Sequence, residues 1–250
     1  MDPKDRIIVA LDVDSLGKAT ALAEELASQV GEFKFGLEFI HSVLNSLIVP
    51  QSAREASANL RTIRALFQLL DGKIFWDGKF DDIPNTVGGA TKALGRMNVK
   101  MFNVHASAGR KSVEAAVAQK GNSLVLGVTV LTSLDVAECL SVFGDLPGPK
   151  VMQFAHMLAE VGANGIICSP QELELLGKHR SLDGLLRIIP GVRPAWATVG
   201  DQKRVMTPGE AIKAGATALV IGRPITNPPP EIGTPADAAK KIAEEIASVL

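Results

Sequence analysis

Residues 76–86 read Trp76-Asp77-Gly78-Lys79-Phe80-Asp81-Asp82-Ile83-Pro84-Asn85-Thr86. The apolar residues Ile74 and Phe75 come directly before them and are typical of a buried strand. Pro84 suits the first position of a helix, where its missing N–H has no partner to lose. The stretch therefore predicts a strand that leads into a helix, with charged residues at the junction.

Three of these charged residues, Asp77, Lys79 and Asp82, are spaced i, i+2 and i+5. Successive side chains of a strand point to opposite faces, so Asp77 and Lys79 are expected to share one face. The alternative is an exposed ion pair followed by a helix start, which contributes little to stability. The apolar residues before the charges, and phosphate-binding patterns later in the chain, favour a functional site.

Composition excludes several classes of protein. The chain has 250 residues and a net charge of −1 with both signs interspersed, so no nucleic-acid partner is expected. Cys139 and Cys168 form no metal-binding spacing with histidines, and a reducing compartment is expected. The charged N-terminus resembles no signal peptide, and no apolar run reaches membrane-spanning length. We therefore expect a cytoplasmic protein with no membrane contact and no metal.

Apolar runs alternate with amphipathic helical segments along the whole chain. Residues 37–70 are long for one helix, and Pro50 divides them into two helical pieces. The pattern predicts an α/β fold, a (β/α)8 TIM barrel that forms one catalytic domain over residues 1–250. The eight predicted strands are residues 7–11, 33–36, 73–79, 101–105, 124–131, 163–168, 186–189 and 217–221.

Polar side chains gather where the predicted strands end. Such barrels carry their active sites at the carboxyl ends of the strands, whereas a purely structural barrel has no need of charges there. His105 is predicted to be structural because two lysines already occupy this end. The strand-end residues are Asp12, Lys34, Asp77, Lys79, Asp82, His105, Thr132, Ser133, Arg193 and Arg223.

Two glycine-containing loops predict a phosphate site. The loop after the seventh strand runs from Pro190-Gly191-Val192-Arg193 to Gly200-Asp201-Gln202, and Gly222-Arg223-Pro224 follows the eighth strand. Glycine lets the backbone approach an anion, and arginine adds a planar set of donors. In this fold the same two loops commonly bind phosphate. We interpret residues 191–204 as a loop that closes over a ligand.

The pattern Asp77-x-Lys79-x-x-Asp82-Ile83-Pro84-Asn85-Thr86 closely resembles the signature of the orotidine 5′-phosphate decarboxylase family. The resemblance extends from Ile7 to about Pro224. It implies conversion of orotidine 5′-phosphate to uridine 5′-phosphate (UMP) and CO2, the last step of de novo pyrimidine biosynthesis, with no cofactor. It also implies a homodimer.

The resemblance implies a role for each matching residue. Lys79 would stabilise the carbanion-like species at C6 and protonate it, and Asp77 would lie against the substrate carboxylate. The alternating charge network would consist of Lys34, Asp77, Lys79 and Asp82. Substrate would be bound by Asp12 and Lys34 at the ribose, by Thr132 or Ser133 at the pyrimidine, and by Gln202, Arg223 and the loop containing Arg193 at the phosphate, next to Gly222. The neighbouring subunit would supply Asp82, Ile83 and Thr86.

Two positions depart from the family pattern. Gly78 stands where a larger apolar residue is expected, and Asp81 stands where histidine is expected. Neither residue belongs to the charge network. One alternative is a Mg²⁺-dependent sugar-phosphate synthase or decarboxylase on the same scaffold, which shares Asp-x-Lys-x-x-Asp. Another is a non-catalytic nucleotide-binding barrel, for which four alternating charges are unnecessary.

Overall fold

The computed structural model describes residues 1–197 and 206–250. Within them, parallel strands pair in chain order, and the last strand pairs with the first to close a barrel. This arrangement confirms the predicted (β/α)8 barrel. The strands are β1 (Ile7–Ala10), β2 (Glu32–Phe35), β3 (Ile74–Phe80), β4 (Met101–His105), β5 (Leu124–Val128), β6 (Gly165–Ile167), β7 (Leu186–Pro190) and β8 (Ala218–Ile221).

Helices alternate with the strands. Ser15 caps the first helix by accepting a hydrogen bond from the Lys18 N–H. The described helices are α1 (Leu16–Leu26), α2 (Leu37–Ile48), α3 (Ala53–Leu69), α4 (Pro84–Leu94), α5 (Arg110–Gln119), α6 (Val136–Phe143), α7 (Pro147–Glu160), α8 (Leu173–Gly177), α9 (Pro208–Lys213), α10 (Arg223–Thr226) and α11 (Pro235–Ala247). The break at Pro50 separates α2 from α3, which confirms two helical pieces.

The alternation of strand side chains produces two apolar layers. A small cluster that includes Ile8, Phe75 and Met101 belongs to the barrel interior, and a larger cluster that includes Val9 and Phe102 joins the strands to the helices. Both layers are almost fully buried. The charged residues of the strands are therefore exceptions among strand side chains that are mostly apolar and buried.

Helix α6 was not predicted, and the prediction of a strand over residues 124–131 was too long, because β5 ends at Val128. The start of α6 nevertheless has a readable local signal. Asp135 accepts a hydrogen bond from the Glu138 N–H, and the Glu138 side chain accepts one from the Asp135 N–H. This reciprocal capping precedes a run of apolar residues, which is a recognised helix start.

The barrel and its helices extend over the chain to Ala247. A single domain over residues 1–250 stays a prediction. Among residues 1–197 and 206–250, no helix has both the length and the apolar character needed to cross a bilayer.

Candidate active site

A cavity of about 480 Å³ opens at the carboxyl ends of the strands. This volume lies within the usual range for small-molecule sites. Apolar residues from several strands, among them Phe75 and Ile167, form part of its wall. The polar residues that line it in the described part of the chain include Asp12, Lys34, Glu38, Asp77, Lys79, Thr132, Arg193 and Arg223, with Gly191 and Gly222.

Four charged residues form a continuous network in this cavity. Lys34 Nζ lies 2.9 Å from Asp12 Oδ1 and 3.1 Å from Asp77 Oδ2. Lys79 Nζ contacts the other oxygen of Asp77. The Asp77 carboxylate thus lies between two ammonium groups. Asp77 and Lys79 both line the cavity, as the alternation of strand side chains predicts. Lys34 and Asp77 are buried, whereas Lys79 is half-buried and lines the cavity.

The network favours the ionised forms of Lys34 and Asp77. Burial alone would raise the pKa of Asp77, but the positive charges of Lys34 and Lys79 and hydrogen bonds from Lys79 and Asn103 lower that pKa below its usual value. Burial alone would lower the pKa of Lys34, but the charges of Asp77 and Asp12 raise it above its usual value. At neutral pH Lys34 and Asp77 therefore form a buried pair of full opposite charges.

Lys79 has an unusual backbone conformation. Its φ is +50°, in the left-handed region that residues with a Cβ rarely adopt. The register of β3 against β4 shifts here, because Trp76 pairs with Phe102 but Phe80 pairs with Val104. Four steps along β3 thus match two steps along β4, which is a bulge. The bulge lies next to the cavity, where such features often aim a side chain.

Asn103 contacts this bulge and was not predicted as a site residue. It is fully buried on β4, its Oδ1 accepts a hydrogen bond from the Lys79 N–H at 2.8 Å, and its amide donates to Asp77 Oδ1. One sequence signal was available, because Asn103 is the polar residue in the otherwise apolar run Met101–Val104. Its partners depend on how two strands pair, which the local sequence does not show.

Asp82, Ile83 and Thr86 are exposed and do not line the cavity among its described residues. Asp82 and Ile83 instead line a shallow depression beside the start of α5. The Asp82 carbonyl accepts a hydrogen bond from Ser112 Oγ at 2.8 Å, which fixes the loop before α4. Asp82 is therefore separate from the Lys34–Asp77–Lys79 network in the described part of this chain.

The remaining predicted residues are placed as follows. Thr132 lines the cavity, whereas Ser133 is exposed and is not among the described lining residues. Arg193, Gly222 and Arg223 all line it. Gln202 and residues 198–204 of the predicted closing loop lie outside the described residues.

His105, predicted to be structural, is half-buried at the end of β4. Burial lowers its pKa below the usual value, so it is neutral at physiological pH. Within the described ranges, no group of three or more His, Cys, Asp or Glu residues is arranged to hold a metal ion.

Comparison with known proteins places the chain in a family. The model described as "Orotidine 5′-phosphate decarboxylase / HUMPS family" matches residues 5–242. The chain belongs to this family. This membership agrees with the resemblance carried by Asp77, Lys79 and residues 82–86.

Members of the orotidine 5′-phosphate decarboxylase / HUMPS family align with the chain over its whole length. It is 39% identical to the orotidine 5′-phosphate decarboxylase of Heliobacterium modesticaldum over 262 aligned positions, which cover 100% of this chain and 99% of that protein. It is 40% identical to the Gloeothece citriformis protein of the same name, with 98% and 99% covered. The crystal structure of orotidine 5′-phosphate decarboxylase from Lactobacillus acidophilus superimposes with a TM-score of 0.75 at 30% identity, covering 97% of this chain and 99% of that one.

Proposed function

We propose that this protein is an orotidine 5′-phosphate decarboxylase, a carbon–carbon lyase that forms UMP and CO2 without a metal or organic cofactor. The Lys34–Asp77–Lys79 network at the cavity is the observation that carries the proposal. Family membership supports it, as do relatives of nearly equal length named for this reaction. The same proposal makes the protein a cytoplasmic enzyme of pyrimidine biosynthesis.

Charge placement suits the substrate. A phosphate monoester and a carboxylate must be bound at opposite ends of a nucleotide. Arg193 and Arg223 line the cavity and offer guanidinium donors for the phosphate, and the glycines Gly191 and Gly222 beside them allow close backbone approach. Lys79 and Asp77 then face the pyrimidine, with Asp12 and Lys34 at the ribose and Thr132 at the base.

The chemical step needs a cation near C6. When the bond between C6 and the carboxylate breaks, CO2 leaves and the electron pair remains on C6, without an electron sink in the ring. The Lys79 ammonium stabilises that pair electrostatically and then transfers a proton to C6, which completes UMP. The neutral amine regains a proton from solvent. Asp77 holds the Lys79 ammonium in place before the transfer, because the two side chains are in contact.

Binding energy from remote contacts supports this step. Enzymes typically lower reaction barriers by about 8–23 kcal/mol, and a localised carbanion requires the upper part of that range. Phosphate contacts far from C6 supply binding energy that orders the substrate against the network. Residues 191–204, including Gln202, are proposed to close over the phosphate.

The proposed enzyme is a homodimer with shared sites. Asp82, Ile83 and Thr86 are exposed, and the large apolar side chain of Ile83 is 66% exposed in the single chain. Burial of such a residue in a neighbouring subunit is favourable. We assign Asp82 to the charge network of the partner's cavity and Ile83 and Thr86 to its wall.

The test is the ultraviolet absorbance change of orotidine 5′-phosphate with purified protein, with and without EDTA. Equal loss of substrate in both samples is expected, and Lys79→Ala should abolish turnover while UMP still binds. Lys73→Ala is a matched control, because the Lys73 ammonium donates to the Ala27 carbonyl, away from the cavity. Substantial turnover by Lys79→Ala would contradict its role as proton donor.

The family description also names HUMPS members, so a second candidate function is tested alongside the first. A Mg²⁺-dependent sugar-phosphate synthase or decarboxylase would leave orotidine 5′-phosphate unchanged. It would act on sugar phosphates and lose activity in EDTA. These two results together would replace the proposed function.

A further inference from the structure

Asn103 is a polar residue in the apolar interior of the barrel. Its side chain is completely buried, and Met101, two residues earlier on β4, belongs to the inner apolar cluster. A buried amide is unfavourable unless its hydrogen bonds are made. An apolar residue would fill the same position without that requirement, so packing alone does not account for an asparagine here.

The amide of Asn103 joins two charged residues. Its Nδ2 donates to Asp77 Oδ1, the same oxygen that Lys79 Nζ contacts. Its Oδ1 accepts the Lys79 backbone N–H at 2.8 Å. Other buried polar side chains nearby differ from it, because Ser123 and Thr129 donate to backbone carbonyls.

The bond to the Lys79 N–H lies at the strained point of β3. Lys79 has φ +50°, and the bulge between Trp76 and Phe80 interrupts the regular pairing with β4. In regular strand pairing, a backbone carbonyl of β4 would accept the hydrogen bond from the Lys79 N–H. At the bulge, the side-chain oxygen of Asn103 accepts it instead. Without it, the half-buried Lys79 N–H would lose its partner, and the left-handed conformation would lose a constraint.

We propose that Asn103 is a positioning residue that holds the Asp77 carboxylate and the Lys79 backbone in register, so that the Lys79 ammonium faces the reacting carbon. This inference rests on the proposed function. Asn103 acts through Asp77 and Lys79 and does not line the cavity among its described residues. Its loss should therefore slow the chemical step much more than it weakens nucleotide binding.

The experiment compares wild type, Asn103→Ala and Ser123→Ala in kcat, KM and the Kd for UMP. Ser123→Ala is the matched control, because Ser123, just before β5, donates a buried hydrogen bond to the carbonyl of Val99, just before β4, and neither residue lines the cavity among its described residues. For Asn103→Ala we expect a kcat on the order of 100-fold below wild type, since small misplacements of reacting groups have effects of this size. Its Kd for UMP should stay within about threefold, and Ser123→Ala should keep a near-wild-type kcat.

Two outcomes would overturn the inference. One is a kcat of Asn103→Ala no lower than that of Ser123→Ala. The other is a loss of UMP affinity as large as the loss of kcat, which would indicate general disruption. If Asn103→Ala does not fold, Asn103→Asp decides by the same measurements, because it keeps the volume and the acceptor but replaces the donor toward Asp77 with a carboxylate.

A crystal structure of the folded variant separates this inference from the proposed function. Should wild type leave orotidine 5′-phosphate unchanged, the proposed function fails, and the structure still tests the positioning role. We expect Asn103→Ala to release Lys79 from its left-handed conformation or to separate its ammonium from Asp77. Asn103→Asp should instead retain the Lys79 conformation and displace the Asp77 carboxylate. An undisturbed Asp77–Lys79 pair in the variant would overturn the inference whatever the substrate.

Discussion

Gly36 sets how closely the charged residues approach one another. A Cβ at this position would lie 2.5 Å from Asp12 Oδ1 and 2.7 Å from Lys34 Nζ, which is closer than real contacts allow. The backbone φ of −83° is ordinary, so an added side chain would meet no backbone strain, but the ends of the Asp12 and Lys34 side chains would have to move away from it. The ends of Asp12 and Lys34 therefore occupy space that the missing side chain at position 36 leaves open.

Gly36→Ala should push Asp12 and Lys34 apart. We expect kcat/KM for orotidine 5′-phosphate to fall at least about tenfold, which corresponds to about 1.4 kcal/mol of lost transition-state stabilisation. Gly17→Ala is the control, because a Cβ there meets nothing within 4 Å. Unchanged kinetics for Gly36→Ala would mean that Asp12 and Lys34 can rearrange without loss of function.

The lowered pKa of Asp77 predicts that the free energy of unfolding depends on pH. Its pKa is below the usual value in the folded protein, so its stabilising contribution is present above the unfolded pKa of about 3.9 and disappears as pH falls through the lower folded pKa. Asp77→Asn removes this contribution and leaves Lys34 and Lys79 without their shared partner. The variant should be less stable than wild type at pH 7, and the difference should shrink below about pH 4.

Urea unfolding of both proteins at several pH values measures this difference. Groups other than Asp77 titrate in both proteins and largely cancel in the comparison. A difference in unfolding free energy that stays constant down to pH 3 would show that Asp77 carries no depressed pKa.

At the level of elements, packing on β3 explains why Gly78 stands where the family signature has a larger apolar residue. A Cβ at Gly78 would lie 2.8 Å from Trp76 Nε1 and 3.1 Å from Phe80 Cε1. The indole of Trp76, two residues earlier on the same face, therefore occupies the space that a larger residue at position 78 would need. The departure at Gly78 is a change in local packing on this strand.

Trp76 and Gly78 should therefore depend on each other. We expect Gly78→Leu to destabilise the protein by about 1–3 kcal/mol through overpacking, and Trp76→Leu to destabilise it through lost contacts. The double substitution should be more stable than the sum of the two effects, with a coupling of about 0.5–3 kcal/mol. Urea unfolding of the four proteins measures this cycle. Additive effects would show that the two positions are independent.

Elements differ in how well the sequence predicted them. The strands were located because their apolar runs are bounded by charged or glycine residues, and α2 and α3 because Pro50 cannot continue a helix. Helix α6 was missed although Asp135 and Glu138 carry a capping pattern. The apolar run of residues 124–131 concealed the end of β5, because burial of Val130 beyond the strand looks the same in sequence as burial within it.

At the level of the whole molecule, the proposed dimer predicts complementation. Lys79→Ala and Asp82→Ala chains should each be inactive alone. After mixing and subunit exchange, each mixed dimer has one cavity with both residues intact, and roughly a quarter of wild-type activity should return. The matched control is Lys79→Ala mixed with Asp77→Ala, since both residues belong to the same chain's network and no cavity is intact.

Subunit exchange must be verified independently, for example with two affinity tags. Recovery with Asp82→Ala but not with Asp77→Ala would support a shared site. No recovery in either mixture, despite confirmed exchange, would assign Asp82 to the cavity of its own chain.

Local sequence was sufficient for the barrel and for the gathering of Lys34, Asp77 and Lys79 at one end of it, because parallel strands bring their carboxyl ends together whatever the details of packing. The charge network itself was implied by the family resemblance, which also included Asp82, whereas Asp82 is exposed and does not line the cavity among its described residues. Tertiary structure alone placed Asn103, which lies 26 positions from Asp77, and showed the left-handed backbone of Lys79. It also showed that a Cβ at position 36 would displace the ends of Asp12 and Lys34. These features depend on the register and spacing of neighbouring strands, which arise from contacts between residues distant in the chain.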